Sequence, residues 1–109
     1  MAEAGVIEML TPAQVLEKRE QGSDALILDV RTETEWEEAH IPGATLMPVH
    51  TIAYGHQELD KHRETIVVCQ HGMRSLNAAR FLAGTAGFTN ISNMIGGMAE
   101  WTGPVETGV

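Results

Sequence analysis

The chain has one cysteine, Cys69, which stands where a run of β-branched residues ends and a loop begins. The run is "TIVV", residues 65–68, and the loop continues as "QHGMRS", residues 70–75, ahead of a helical pattern. Unpaired N–H groups at a helix start, and successive N–H groups in a tight loop, stabilise an anion. They therefore favour the thiolate, the nucleophilic form of cysteine. The alternative is a buried structural cysteine, but such a residue would more naturally lie within the strand.

The residues that follow Cys69 are of types that can stabilise a thiolate and bind an anionic substrate. Gly72 allows a tight turn. Arg74 offers a permanent charge, either for an anionic substrate or for bracing loop carbonyls, and Ser75 offers a hydroxyl and a candidate helix cap. His71 would add positive charge or contact substrate, unless it is only a solvated loop residue. The candidate catalytic residue is Cys69, and the candidate substrate-binding residues are Gln70, His71, Gly72, Met73, Arg74 and Ser75.

The spacing between Cys69 and Arg74 helps to choose between chemistries. Four residues, 70–73, separate them, whereas cysteine-dependent phosphatases have five. Those phosphatases also have a histidine just before the cysteine, where this chain has Val68. A phosphate needs a cradle wide enough for a tetrahedral group, and a shorter loop makes a narrower cradle. The spacing therefore favours a guest the size of a single sulfur atom.

The elements that must position this loop alternate between strands and helices, which predicts an α/β fold. We expect a mostly parallel central sheet with helices on both faces. Strands are predicted at residues 5–10, 25–30, 45–49, 65–68 and 89–95. Helices are predicted at residues 11–22 and 32–40, within 50–63, at 73–83 with an end at Gly84 or Gly87, and at 96–101. Ligands of such sheets bind beyond the carboxyl ends of strands, where Cys69 lies.

Capping boxes start the first two predicted helices. Thr11 pairs with Gln14, and Thr32 with Glu35, at the spacing that allows reciprocal side-chain bonds to the backbone. These signals fix where each helix begins.

Asp29 and Arg31 flank the end of the apolar strand "ALILDV". We interpret them as an ion pair or a loop brace in preference to catalytic residues, the alternative that has to be weighed because ion-pair networks and active sites look alike in sequence. Glu35 is a further candidate partner for Arg31.

Composition and charge narrow the classes of function. The chain has 109 residues and a net charge of −8, which fits one soluble domain. The acidity argues against nucleic acid or an anionic membrane as the main partner. No window resembles a signal peptide or a membrane span. A lone cysteine cannot form an internal disulfide, so we expect a cytoplasmic protein, the alternative being one that is indifferent to the redox compartment.

Neither a metal nor an organic cofactor is predicted. His50, His56 and His62 recur every six residues, which does not place them on one helical face. Zinc sites favour closer histidine pairs. The Gly96–Gly97 pair has no lysine beside it, unlike a nucleotide-binding phosphate loop.

Four stretches occur in a characteristic order: "TPAQVLE", "LDVRTETEWEEAHIPGA", "CQHGMRS" and "NMIGGMAEW". Together they resemble the single-domain rhodaneses, a family of thiosulfate or persulfide sulfurtransferases. The resemblance covers about residues 5–102 of the single domain, 1–109, that the chain length predicts. The turn-rich end of the chain, "TGPVETGV", predicts a flexible tail at 103–109. The family often has glycine where this chain has Ala39, a position without chemistry. Gln70, His71 and Met73 fall at positions where we expect the family to vary. We expect the residues at these positions to determine substrate preference.

The resemblance implies that Cys69 carries sulfur as a persulfide, in a two-step exchange with ping-pong kinetics. Backbone N–H groups of residues 70–75 would hold the negative charge, as in an oxyanion hole. The implied partners are a small anionic sulfur donor and a thiophilic acceptor, either cyanide, a thiol or a sulfur-carrier protein. Two alternatives stay open: a non-catalytic binding or regulatory module, and a small phosphatase or arsenate reductase.

Overall fold

A computed structural model describes residues 5–108 of the chain. Its strands are β1 (Ile7–Leu10), β2 (Leu26–Asp29), β3 (Thr45–Leu46), β4 (Thr65–Val68) and β5 (Ile91–Met94). Its α-helices are α1 (Pro12–Glu20), α2 (Glu33–Glu38), α3 (Ile52–Gly55) and α4 (Met73–Gly84). Short 3-10 turns occupy Val49–Thr51, His56–Glu58 and Gly97–Glu100.

The five strands form one sheet in the order β1-β5-β4-β2-β3, and every neighbouring pair runs parallel. The predicted α/β class with a parallel sheet is therefore confirmed. Strand β4 lies in the centre, between β2 and β5, and all four of its residues are buried. A β-branched run suits this position because a central parallel strand is covered on both faces.

Two apolar clusters cover the two faces of the sheet. On one face, Ala79 and Leu82 of α4 pack with Val67 and Cys69. On the other face, Val15 of α1 packs with sheet residues such as Ile66. The prediction of helices on both faces is confirmed, and the centre of β4 is sandwiched between them.

The local signals for helix starts are also confirmed. Thr11 and Gln14 form a capping box at α1, and Thr32 and Glu35 form one at α2. The residue that ends α4 is Gly84, one of the two predicted ends.

Glu106 and Gly108, within the tail that the sequence predicts to be flexible, form backbone hydrogen bonds with the rest of the domain. Glu106 and His40 exchange two backbone hydrogen bonds of 2.8 and 2.9 Å, and the Gly108 amide donates to the Glu37 carbonyl at 2.7 Å. A turn-rich composition does not reveal such distant backbone pairing. Val109, the last residue of the predicted tail, lies outside the described residues. No helix within residues 5–108 has both the length and the apolar character to cross a membrane.

Candidate active site

Cys69 directly follows β4, at the carboxyl edge of the sheet, and only 1% of it is exposed. Its sulfur is nevertheless surrounded by hydrogen-bond donors. The Gly72 amide donates to Sγ at 3.1 Å and the Ser75 amide at 3.3 Å. The Ser75 hydroxyl lies 3.2 Å from Sγ and can donate to it when the sulfur is ionised. The thiol is therefore buried in a polar cradle.

The cradle outweighs the effect of burial on the acidity of Cys69. Burial raises the pKa of the thiol, because a buried charge loses its water. Hydrogen bonds from the Ser75 side chain and amide, and from the amides of Gly72 and His71, lower it. The net result is a Cys69 pKa below its ordinary value of 9.0. The geometry thus favours the thiolate, as expected for a nucleophilic cysteine.

The loop turns at Gly72, which has a left-handed φ of +98° and is the N-cap residue of α4. Other residue types rarely adopt this conformation. A Cβ here would also lie 3.1 Å from the Gly96 nitrogen. The prediction of Ser75 as a candidate cap is wrong: Ser75 lies inside the first turn, where its amide and hydroxyl face Cys69.

The outer side of the loop is bonded to the 3-10 turn at Gly97–Glu100. The Met98 amide donates to the Cys69 carbonyl at 2.8 Å, and the Ala99 amide donates to the Gln70 carbonyl at 3.0 Å. A Cβ at Gly97 would stand 2.5 Å from both of those carbonyl oxygens. Sequence reasoning missed this role, although the paired glycines at 96 and 97 were its signal.

Arg74 forms two hydrogen bonds of 2.8 Å with the Glu35 carboxylate, one from each terminal guanidinium nitrogen. The hydrogen bond from Arg74, against a smaller opposing effect of burial, holds the pKa of Glu35 at about 2. The same pair raises the pKa of Arg74. The guanidinium is therefore matched to a carboxylate instead of bracing loop carbonyls, one of the roles considered from the sequence.

Asp29 and Arg31 form the buried ion pair that the sequence predicted, with Nη2 and Oδ2 2.9 Å apart. Arg31 also donates to the Ala39 carbonyl at 2.7 Å and to the Gln70 side chain at 3.1 Å. The suggested pairing of Arg31 with Glu35 is wrong, because Asp29 takes that place. The pair braces the loop through Gln70.

The sequence and the fold of the chain were compared with those of known proteins. The family model of the rhodanese-like domain matches residues 11–104. The chain belongs to the rhodanese-like domain family. The chain is 37% identical over 100 residues to the thiosulfate sulfurtransferase GlpE of Pseudomonas entomophila, covering 90% of this chain and 89% of that one. Its fold matches the crystal structure of a rhodanese-like domain protein from Staphylococcus aureus with a TM-score of 0.84 and 28% identity, covering 94% and 100% of the two chains.

A longer relative contains the same region within a larger protein. The chain is 40% identical over 80 residues to the "Putative sulfur carrier protein YrkF" of Bacillus subtilis, covering 73% of this chain. It spans 43% of the length of that relative.

The remaining loop residues of this rhodanese-like domain face outward. Met73 is 64% exposed, and His71 is exposed as well. Beside Gln70 a groove of about 280 Å³ opens at the surface. Its walls carry two carboxylates, one guanidinium, one side-chain amide and four apolar or aromatic side chains: Arg31, Glu35, Glu38, Ala39, Gln70, Met98, Trp101 and Val105. Through Gln70 the groove adjoins the loop that carries Cys69.

The histidines outside the loop do not converge on Cys69. His40 is buried and stacks on Trp36 with the ring centres 3.7 Å apart, while His56 lies edge-on to Phe81 and Phe88. Within residues 5–108, no three side chains of histidine, cysteine, aspartate or glutamate are close enough to hold a metal ion.

Proposed function

We propose that this rhodanese-like domain is a sulfurtransferase that carries sulfane sulfur on Cys69 as a persulfide. The observation that supports this best is the set of donors around Sγ, from the amides of Gly72 and Ser75 and the hydroxyl of Ser75. They lower the pKa of a thiol that burial alone would keep protonated. The names of relatives that match nearly the whole chain point the same way.

In the first half-reaction the Cys69 thiolate attacks the outer sulfur of a donor such as thiosulfate. A bond forms between Sγ and that sulfur, the sulfur–sulfur bond of thiosulfate breaks, and its electron pair leaves with sulfite. The protein now holds an anionic persulfide. Backbone amides that stabilise the Cys69 thiolate can also stabilise this anion, without reorganising when the charge moves outward.

In the second half-reaction a nucleophile attacks the outer sulfur of the persulfide. The bond from that sulfur to Sγ breaks, and its electron pair returns to Cys69 as a thiolate. Cyanide would leave as thiocyanate, and a thiol would leave as a new persulfide. Because the sulfur is held covalently between the two steps, ping-pong kinetics are expected.

The chemistry of the loop is consistent with an anionic sulfur donor and a thiophilic acceptor. Thiosulfate and small persulfides are anionic, and the N–H groups of residues 70–75 supply the local attraction, with Gln70, His71 and Met73 as contacts for the rest of the substrate. A sulfur-carrier protein is an acceptor consistent with the name of the relative from Bacillus subtilis. A lone cysteine without a disulfide partner fits a cytoplasmic location.

The test is an intact-mass measurement after incubation with thiosulfate and removal of excess donor. We expect a gain of one sulfur atom, which cyanide removes as thiocyanate. Since Cys69 is the chain's one cysteine, the added sulfur has a single thiol to occupy. The matched control is Cys69→Ser, which keeps the shape of the side chain and should gain nothing.

Two results would overturn the proposal. If the wild-type protein gains no sulfur from thiosulfate or from a small persulfide, a binding or regulatory module becomes the better interpretation. If the protein instead hydrolyses an aryl phosphate or reduces arsenate, and Cys69→Ser loses that activity, the reaction at Cys69 is that of a phosphatase or an arsenate reductase and not sulfur transfer.

A further inference from the structure

The peptide groups of the Cys69 loop are held from outside in one orientation. The Cys69 and Gln70 carbonyls accept hydrogen bonds from the amides of Met98 and Ala99. The Gly72 carbonyl accepts from the Asn93 side-chain Nδ2 at 3.4 Å and from the Leu76 amide at 3.3 Å. Three carbonyls of one short loop therefore point away from Sγ.

The direction of a carbonyl fixes the direction of the next amide. The peptide bonds of residues 5–108 are all trans, and in a trans planar peptide the C=O and N–H point in opposite directions. Outward carbonyls at Cys69, Gln70 and Gly72 thus turn the amides of the following residues inward. Those inward amides belong to Gln70, His71 and Met73. The outer bonds thereby orient three amides of the loop in addition to those of Gly72 and Ser75, which donate to Sγ.

Among these outer anchors, Asn93 is the one that acts through a side chain. It is 1% exposed and lies on β5, paired in register with Val67 of the central strand. Side chains alternate between the faces of a strand, so Asn93 faces the α4 side of the sheet, as Val67 and Cys69 do. Its Nδ2 reaches the Gly72 carbonyl, while its Oδ1 is buried without a hydrogen-bond partner.

A buried amide with an unpaired oxygen is unfavourable in a core, where an apolar residue would pack without that penalty. Its presence is explained if its donor is needed. Gly72 is held at both ends: its own amide donates to Sγ at 3.1 Å, and its carbonyl is held by Asn93 and by Leu76. Loosening the carbonyl would loosen the donor at the other end of the same residue.

We propose that Asn93 is a positioning residue for the Cys69 anion. It holds the Gly72 carbonyl outward, which keeps the Gly72 amide on Sγ and turns the Met73 amide toward the place of the outer sulfur. The role of the Met73 amide toward an outer sulfur rests on the proposed function. The effect of Asn93 on the Gly72 amide and the Cys69 thiolate does not depend on that function.

The test measures the pH dependence of Cys69 alkylation by iodoacetamide in Asn93→Leu, which keeps a similar volume and removes the donor. We expect the midpoint to move to higher pH and the thiolate fraction at pH 6 to fall by about 3- to 10-fold. Asn93→Thr is the second variant, with a side chain suited to a strand, in case the leucine variant does not fold. Thermal unfolding identifies which variants are folded.

The matched control is Ser92→Ala, a buried neighbour on the same strand whose side chain lies on the opposite face. It should alter stability without moving the alkylation midpoint. A folded Asn93 variant with the wild-type midpoint would overturn the inference, whatever its stability.

The two proposals fail in different ways. Alkylation needs no sulfur donor, so a shifted midpoint together with no sulfur gained by the wild-type protein would reject the proposed function alone. Persulfide formation with an unchanged midpoint in the Asn93 variants would reject the positioning role alone.

Discussion

Arg74 and Glu35 are joined by two parallel hydrogen bonds of 2.8 Å, although they stand 39 residues apart in the chain. The pair links the first turn of α4 to α2. The sequence suggests Arg74 as a contact for an anionic substrate. In this structure its charge is matched by the Glu35 carboxylate, while the amides of Gly72 and Ser75 are the backbone donors that contact Sγ.

The coupling between Arg74 and Glu35 should be measurable. Both side chains are partly exposed, at 37% and 27%, so solvent screens the pair and we expect a coupling of about 0.5–1 kcal/mol. A double-mutant cycle with Glu35→Gln, Arg74→Gln and the double variant, followed by urea unfolding at pH 7, gives this number. Additive effects of the two single changes would show that the pair contributes nothing.

The same pair predicts a pH dependence of stability. Because the folded-state pKa of Glu35, about 2, is below its ordinary 4.5, the ionised carboxylate stabilises the folded protein. That stabilisation is complete above about pH 4.5 and is lost as pH falls toward 2. Glu35→Gln keeps a side chain able to form the capping box with Thr32 and removes only the charge. The difference in unfolding free energy between wild type and Glu35→Gln should therefore shrink between pH 6 and pH 2.5, and a constant difference would contradict this account.

Local features of this domain could be predicted because their signals lie within a few residues. Thr11 and Gln14 mark the start of α1, and a β-branched run followed by "CQHGMRS" marks the junction at Cys69. The Asp29–Arg31 pair also belongs to this group, since its members are two residues apart. The alternation of such local signals was enough for the fold class.

Distant pairings could not be predicted, because residue types do not give tertiary distances. Glu35 could pair with any nearby arginine, and only the tertiary structure brings it to Arg74 and leaves Arg31 with Asp29. The cap of α4 could not be predicted correctly either. Gly72 and Ser75 are both cap-forming residue types, and the left-handed φ at Gly72 is what selects it.

Gly97 should be intolerant of any side chain. Its φ is +64°, and a Cβ would lie 2.5 Å from the Cys69 and Gln70 carbonyl oxygens. We expect Gly97→Ala to destabilise the domain by about 2 kcal/mol or more and to raise the Cys69 pKa by displacing the loop. Urea unfolding and the alkylation profile measure the two effects.

Gly84→Ala is the matched control for that change. Gly84 ends α4, and a Cβ there would meet nothing within 4 Å. Alanine should leave the Cys69 pKa unchanged and stabilise the domain by up to about 1 kcal/mol, because it restricts the unfolded chain and suits a helix. Equal losses of stability in both variants would show that the close approach at Gly97 has no special role.

Ser75 should be the strongest single determinant of Cys69 acidity, because its hydroxyl and its amide both face Sγ. Among the interactions that lower the pKa of Cys69, the one with the Ser75 hydroxyl is the largest. Ser75→Ala removes the hydroxyl and keeps the amide, so the pKa should rise and the thiolate fraction at pH 7 should fall by on the order of 10-fold. Ser75→Thr restores a hydroxyl and should recover most of that fraction. The pH profile of alkylation reports both variants, and a threonine variant no better than alanine would mean that the hydroxyl does not act on the sulfur.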